Sequence, residues 1–67
     1  MKIKYFEDTD TALIEFTNQK VSETKEINEN IMIDLDGEGN LVGITIEHAN
    51  QHANMKDFSF QQMSGLN

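Results

Sequence analysis

Ile31-Met32-Ile33-Asp34-Leu35-Asp36-Gly37-Glu38-Gly39-Asn40-Leu41-Val42-Gly43-Ile44-Thr45-Ile46-Glu47 is the stretch that decides how this chain folds. Ile31, Ile33 and Leu35 alternate with Met32 and Asp34, the period of two that a half-buried strand requires. Val42, Ile44 and Ile46 resume the alternation against Leu41, Gly43, Thr45 and Glu47. Between the two runs, Asp36 to Asn40 is dense in turn formers, and each glycine can take positive φ at little cost. Two alternating runs joined by such a turn predict an antiparallel hairpin with one apolar face.

Working outward towards the N-terminus, Ile3 and Tyr5 alternate with Lys2 and Lys4, and Glu7-Asp8-Thr9-Asp10 suits a turn. Ala12, Ile14 and Phe16 then share one face, with Thr11, Leu13 and Glu15 on the other, so a second hairpin is expected here. From Thr17 to Asn30 only Val21 and Ile27 are strongly apolar. That stretch is compatible with a short edge strand around Val21 to Lys25, its charges guarding the unpaired edge, and equally with a loop. After Glu47 the period changes. His48 to Met63 has no β-branched residue and is rich in helix formers, which predicts a C-terminal helix. Ala49, Ala53, Phe60 and Met63 would share its face, while Met55 and Phe58 would not; Asn50, Asn54 or Asp57 are the places for a break, with Asp57 a candidate N-cap.

The expected fold class is therefore α+β: an antiparallel β-meander of three or four strands with a C-terminal helix covering or extending it. Residues 1–63 form the single small domain, and 64–67 read as a frayed end. The core candidates are Ile3, Tyr5, Ala12, Ile14, Phe16 and Ile31, followed by Ile33, Leu35, Val42, Ile44, Ile46 and Ala49.

Length and charge exclude several function classes. With 67 residues the chain holds one domain at most. It has no run of about 18 apolar residues, and no apolar signal core follows Met1-Lys2-Ile3-Lys4, so the expectation is a cytoplasmic protein away from membranes. It has no cysteine, hence no disulfide, thiolate metal site or thiol nucleophile. Five lysines, no arginine and twelve carboxylates give a net charge of −7, which argues against direct nucleic-acid binding. The charge is uneven: residues 1–25 carry four lysines and five carboxylates, residues 26–67 one lysine and seven carboxylates, or −1 and −6.

Several short patterns follow one another along the chain. Met1-Lys2-Ile3-x-Tyr5 opens the chain and an acidic turn ends in Asp10. Glu23-Thr24-x-Glu26, Ile31-x-Ile33-Asp34-x-Asp36 and Gly39-x-x-Val42-Gly43-Ile44-x-Ile46-Glu47-x-Ala49 follow. Together they resemble the small prokaryotic family called domain of unknown function 2283, over about residues 1–50. The resemblance implies a small, mainly β protein with no established activity. For members encoded beside small toxin-like proteins it suggests an antitoxin or partner-binding role. It defines no catalytic or ligand residues. Phe6 departs from the pattern, which usually has Asp directly after the tyrosine, and the tail with Phe58 and Phe60 lies outside it.

Each chemical motif has a plainer reading. Asp34-x-Asp36-x-Glu38-Gly39 resembles the front of a calcium loop, but the closing carboxylate would fall at Thr45 and both flanks read as strands. His48 and His52, four apart, are the weak metal candidates, with no third ligand in sequence reach. Ser22, Ser59 and Ser64 lie in no nucleophile elbow. The expectation is no catalytic residue, no cofactor and no enzyme activity.

Interaction surfaces are the stronger expectation. Phe6, Leu13, Met32 and Leu41 fall on the face opposite the predicted core. Phe6, Leu13, Met32, Met55, Phe58 and Phe60 are the interface candidates, with Asp34, Asp36, Glu38 and Glu47 as an acidic surface. The expected partners are a second copy of the chain, a dimer first, with Phe58 or Phe60 crossing to it, and a basic protein. The function expected is a non-catalytic protein-binding or antitoxin-like regulatory module. The alternative is an acidic nucleic-acid mimic that inhibits a nucleic-acid-binding enzyme, which needs carboxylates in file along one face.

Overall fold

A computed structural model of the chain describes residues 1–57 and 59–63. It contains five strands, β1 Lys2–Phe6, β2 Thr11–Glu15, β3 Glu23–Asn28, β4 Ile31–Leu35 and β5 Leu41–Glu47, and one short helix, α1 Ala49–His52. All neighbouring strands are antiparallel and the order across the sheet is β1-β2-β5-β4-β3. The protein is thus mostly one antiparallel sheet of five strands rather than three or four. It is also not a simple meander, because the last strand lies in the middle, between β2 and β4.

Register explains that placement. Cross-strand partners share a face, and β5 matches apolar positions on both sides. Tyr5, Ala12, Ile46 and Ile31 form one rung, and Ile3, Ile14, Ile44 and Ile33 the next. All eight lie on one surface, the isoleucine face. The opposite, charged face carries the rungs Lys4–Leu13–Thr45–Met32–Glu26 and Lys2–Glu15–Gly43–Asp34–Thr24. Its ion pair joins Lys4 Nζ to Glu15 Oε1 at 3.5 Å. The β4–β5 pairing shifts register between Asp34 and Leu35, at the end of β5 where the Val42 carbonyl turns to accept the amide of Phe16 at 2.8 Å.

The sequence signal for β3 was ambiguous because all six of its residues are exposed, so no apolar period marks it. It starts at Glu23 rather than near Val21 and forms by pairing along β4. The Ser22 amide donates to the Leu35 carbonyl at 2.8 Å and the Thr24 hydroxyl to Asp34 at 2.7 Å. A bulge between Glu26 and Asn28 leaves Ile27 at 58% exposure.

Two expectations are corrected. Phe16 is outside the core, at 37% exposure, because β2 ends at Glu15 and the chain turns away there to reach β3. The helix predicted over His48–Met63 is only four residues long. His48 enters it in the left-handed region at φ 56°, and Ala53 leaves it extended at φ −154°. The asparagines explain the ending: Asn50 Oδ1 accepts the Met55 amide at 3.3 Å and Asn54 Oδ1 the Lys56 amide at 3.0 Å. Side-chain acceptors of this kind compete with helical carbonyls for the backbone. The frayed end expected over residues 64–67 lies outside the described residues.

Candidate functional site

The acidic turn between β4 and β5 is built around Asp36. Its carboxylate accepts the amides of Glu38 and Asn40, both at 2.9 Å, and the Asn40 side-chain amide at 3.3 Å. Its backbone closes the turn: Asp36 N donates to the Asn40 carbonyl at 2.9 Å, and Gly39, at φ 85°, donates back to the Asp36 carbonyl at 3.1 Å. The Asn40 amide is the main cause holding the Asp36 carboxyl below the usual carboxylate range, opposed by desolvation and aided by the Glu38 amide. This carboxylate is therefore engaged by its own loop rather than turned out as a ligand. Asp34 is likewise engaged, by Thr24.

The expected acidic surface is divided. Asp36 and Glu38 lie at the turn and Asp34 beside it on the charged face, whereas Glu47 is at the far end of β5, paired with Thr11. Lys20, on the β2–β3 connection, borders the same shallow hollow as Asp36 and Glu38. Its sequence distance from the turn had hidden that neighbour.

A second cluster closes the opposite end of the sheet, and sequence reasoning missed it. Asp10 sits in the left-handed region at φ 55°. Its carboxylate accepts the Tyr5 hydroxyl at 2.5 Å and the Asn50 amide at 2.9 Å, while its carbonyl accepts the Ala49 amide at 3.0 Å. One residue of the first turn thus fastens both β1 and α1. The nearest signal was the acidic turn ending in Asp10, but nothing in the sequence links it to a residue forty positions later. On the neighbouring turn the Asn30 carbonyl accepts the Glu47 amide at 2.7 Å, and Asn30 Oδ1 lies 3.0 Å from His48 Nδ1.

His48 and His52 do not share a helix face, since His48 is the left-handed residue before α1. Both border a shallow hollow with Glu29, Asn30 and Gln51. Among the described residues no three histidine, cysteine or acidic side chains converge as metal ligands.

The Tyr5–Asp10 hydrogen bond has a measurable signature. Donation to the Asp10 carboxylate is the main cause pushing the Tyr5 hydroxyl up to about 12, with desolvation and the charges of Asp10 and Glu7 adding to it. The Asp10 carboxyl is held low, first by Tyr5 and then by the Asn50 amide. Tyr5 is the only tyrosine, so its ultraviolet titration reports on this bond alone. A midpoint near 12 is expected for the folded protein, falling towards the ordinary value of about 10 in Asp10→Asn. For linkage, a raised phenol stabilises the fold below its unfolded pKa and loses that contribution as pH rises through the folded value. The depressed carboxyls of Asp10 and Asp36 act in the opposite window. Their contribution is complete above about 3.9 and is lost as pH falls through their folded values. Urea midpoints should therefore fall below that pH, and fall less steeply in Asp10→Asn.

The interface candidates separate. Phe6, at 46% exposure, and the half-buried Leu13 and Met32 lie on the charged face, and Leu41 stands at 38% exposure beside the turn. Met55 lies under the isoleucine face, where residues Ala53 to Asp57 border a groove of about 430 Å³ against Ile3, Tyr5, Ala12, Ile14 and Ile46. Phe60 is 67% exposed; Phe58 lies outside the described residues.

The family model for proteins of unknown function DUF2283 matches residues 2–50. The chain belongs to that family. The match spans all five strands and ends at Asn50, the residue whose amide is held by Asp10. No curated protein and no solved structure matches the chain. Among the described residues no helix is long and apolar enough to cross a membrane.

Proposed function

We propose that this DUF2283 chain is a non-catalytic, cytoplasmic protein-binding module, antitoxin-like or regulatory, that recognises a basic protein through the β3–β4–β5 half of its charged face. The observation that carries this reading is that residues 26–55 hold six carboxylates and no lysine or arginine. Lys2 and Lys4 lie on β1, across the sheet from Glu26 and Asp34, and Lys25 falls on the opposite face of β3, while Lys20 borders the hollow beside Asp36 and Glu38. Such a surface speeds encounter with a basic partner, and the apolar Met32 and Leu13 on the same rung supply anchoring. The nucleic-acid mimic has less support. Glu23 falls on the opposite face from Asp34, Glu47 is at the far end of β5, and Glu15 is paired with Lys4, so the carboxylates do not run in file.

Affinity capture from the native host, with wild type beside a Glu26→Lys/Glu38→Lys double variant, tests the proposal. Wild type is expected to retain a basic protein that elevated salt releases, and the variant should associate at least about tenfold more slowly. Equal retention by the variant would contradict it.

A further inference from the structure

The isoleucine face is unfinished. Ile3, Ile14, Ile31, Ile33, Ile44 and Ile46 are each only partly buried, and among the described residues no large side chain is fully buried. The buried apolar residues are Ala12, Val42 and Ala49. A sheet with one apolar face needs a second layer. Helix α1 is four residues long, and residues 53–57 cover only the β1–β2–β5 side, with a groove left beneath them.

The surface area shows the same openness. The chain exposes 5469 Å², against about 4,300 Å² for a compact monomer of 7.7 kDa. The radius of gyration, 13.5 Å, likewise exceeds the roughly 11 Å of a compact chain of this length. The excess of about 1,100 Å² is divided between the exposed residues after α1 and the uncovered isoleucine face, against the about 800 Å² that each partner buries in a standard interface.

We infer that the second layer over the β5–β4–β3 side, which residues 53–57 leave open, is the same side of another copy of this chain, the two sheets stacking about 10 Å apart there as a two-layer homodimer. Charge selects this occupant. The register places only Glu23 and Lys25 on that face, opposite in sign and at its β3 margin, and Asp57 borders the groove at the other side, so the −7 that opposes association is carried mainly elsewhere and salt should strengthen the pairing. Asp34, Glu15, Glu26 and Glu47 all point to the other side. A basic protein or an anionic membrane would be chosen by charge that this face lacks. A second copy brings an equally broad, β-branched, neutral surface, and a two-fold axis closes the assembly. The pairing is independent of the acidic-surface proposal, because it uses the opposite face.

Sedimentation equilibrium of the full chain tests it, with Ile33→Lys and Leu13→Lys alongside. Wild type is expected at twice 7.7 kDa, Leu13→Lys likewise, and Ile33→Lys at the monomer mass with dissociation raised at least a hundredfold. Isoleucine methyl shifts of the wild type on dilution supply a readout that does not depend on either variant folding; they should move at Ile33 and Ile44 while the Leu13 methyls stay fixed. A wild type that stays at 7.7 kDa overturns the inference, as does dilution that moves Leu13 and leaves the isoleucines unchanged.

Discussion

Gly43→Ala is expected to lower the unfolding free energy by about 2–3 kcal/mol, because a methyl group there has nowhere to go. Gly43 lies in the central strand between Glu15 and Asp34, and a Cβ on it would meet the Ile14 carbonyl oxygen at 2.8 Å. That atom is backbone, and its own strand is held on both sides by Ile3 and Ile44, so it cannot swing away as a side chain would. Gly37 is the control, with nothing within 4 Å of an added Cβ. Urea denaturation of the two alanine variants should show a large fall for Gly43 and a change within about 0.5 kcal/mol for Gly37. Equal midpoints would show that β5 does not sit against β2 in this register.

The second large effect is expected at Ile44. It occupies the middle of the isoleucine face, between Ile14 and Ile33, so truncation to alanine opens a gap shared by three strands. Its partial exposure places the loss at the lower end of the range for such changes, about 2 kcal/mol. Phe6→Ala, a larger truncation on the opposite face at 46% exposure, is expected to cost no more than about 0.5 kcal/mol. The contrast separates burial from residue size, since the bigger side chain should matter less.

Both hairpins were legible in the sequence because each carries its own alternation and turn chemistry. The isoleucine face was legible for the same reason, down to the placement of Phe6, Leu13 and Met32 on the other side. What the sequence hid was non-local. The pairing of β2 with β5 joins strands about thirty residues apart, and no local pattern announces it. Strand β3 buries nothing, so its pairing with β4 left no apolar period. Helix propensity over His48–Met63 was overridden by asparagine side chains that hold the backbone elsewhere. Among the site candidates, the acids at the β4–β5 turn were legible as a group. Their ties to Thr24 and Asn40, and the proximity of Lys20, depend on geometry. The Asp10 latch belongs with these, its partners being Tyr5 and the much later Ala49 and Asn50.

On this inference the five-stranded sheet is half of a core, completed by a second copy across the isoleucine face. The most direct measurement is the thermal unfolding midpoint of the unmodified chain over a hundredfold range of protein concentration. When folding and assembly are coupled, mass action makes the folded state more stable as concentration rises. For a homodimer the midpoint climbs steadily with concentration; a midpoint that stays constant across the whole range would contradict the pairing.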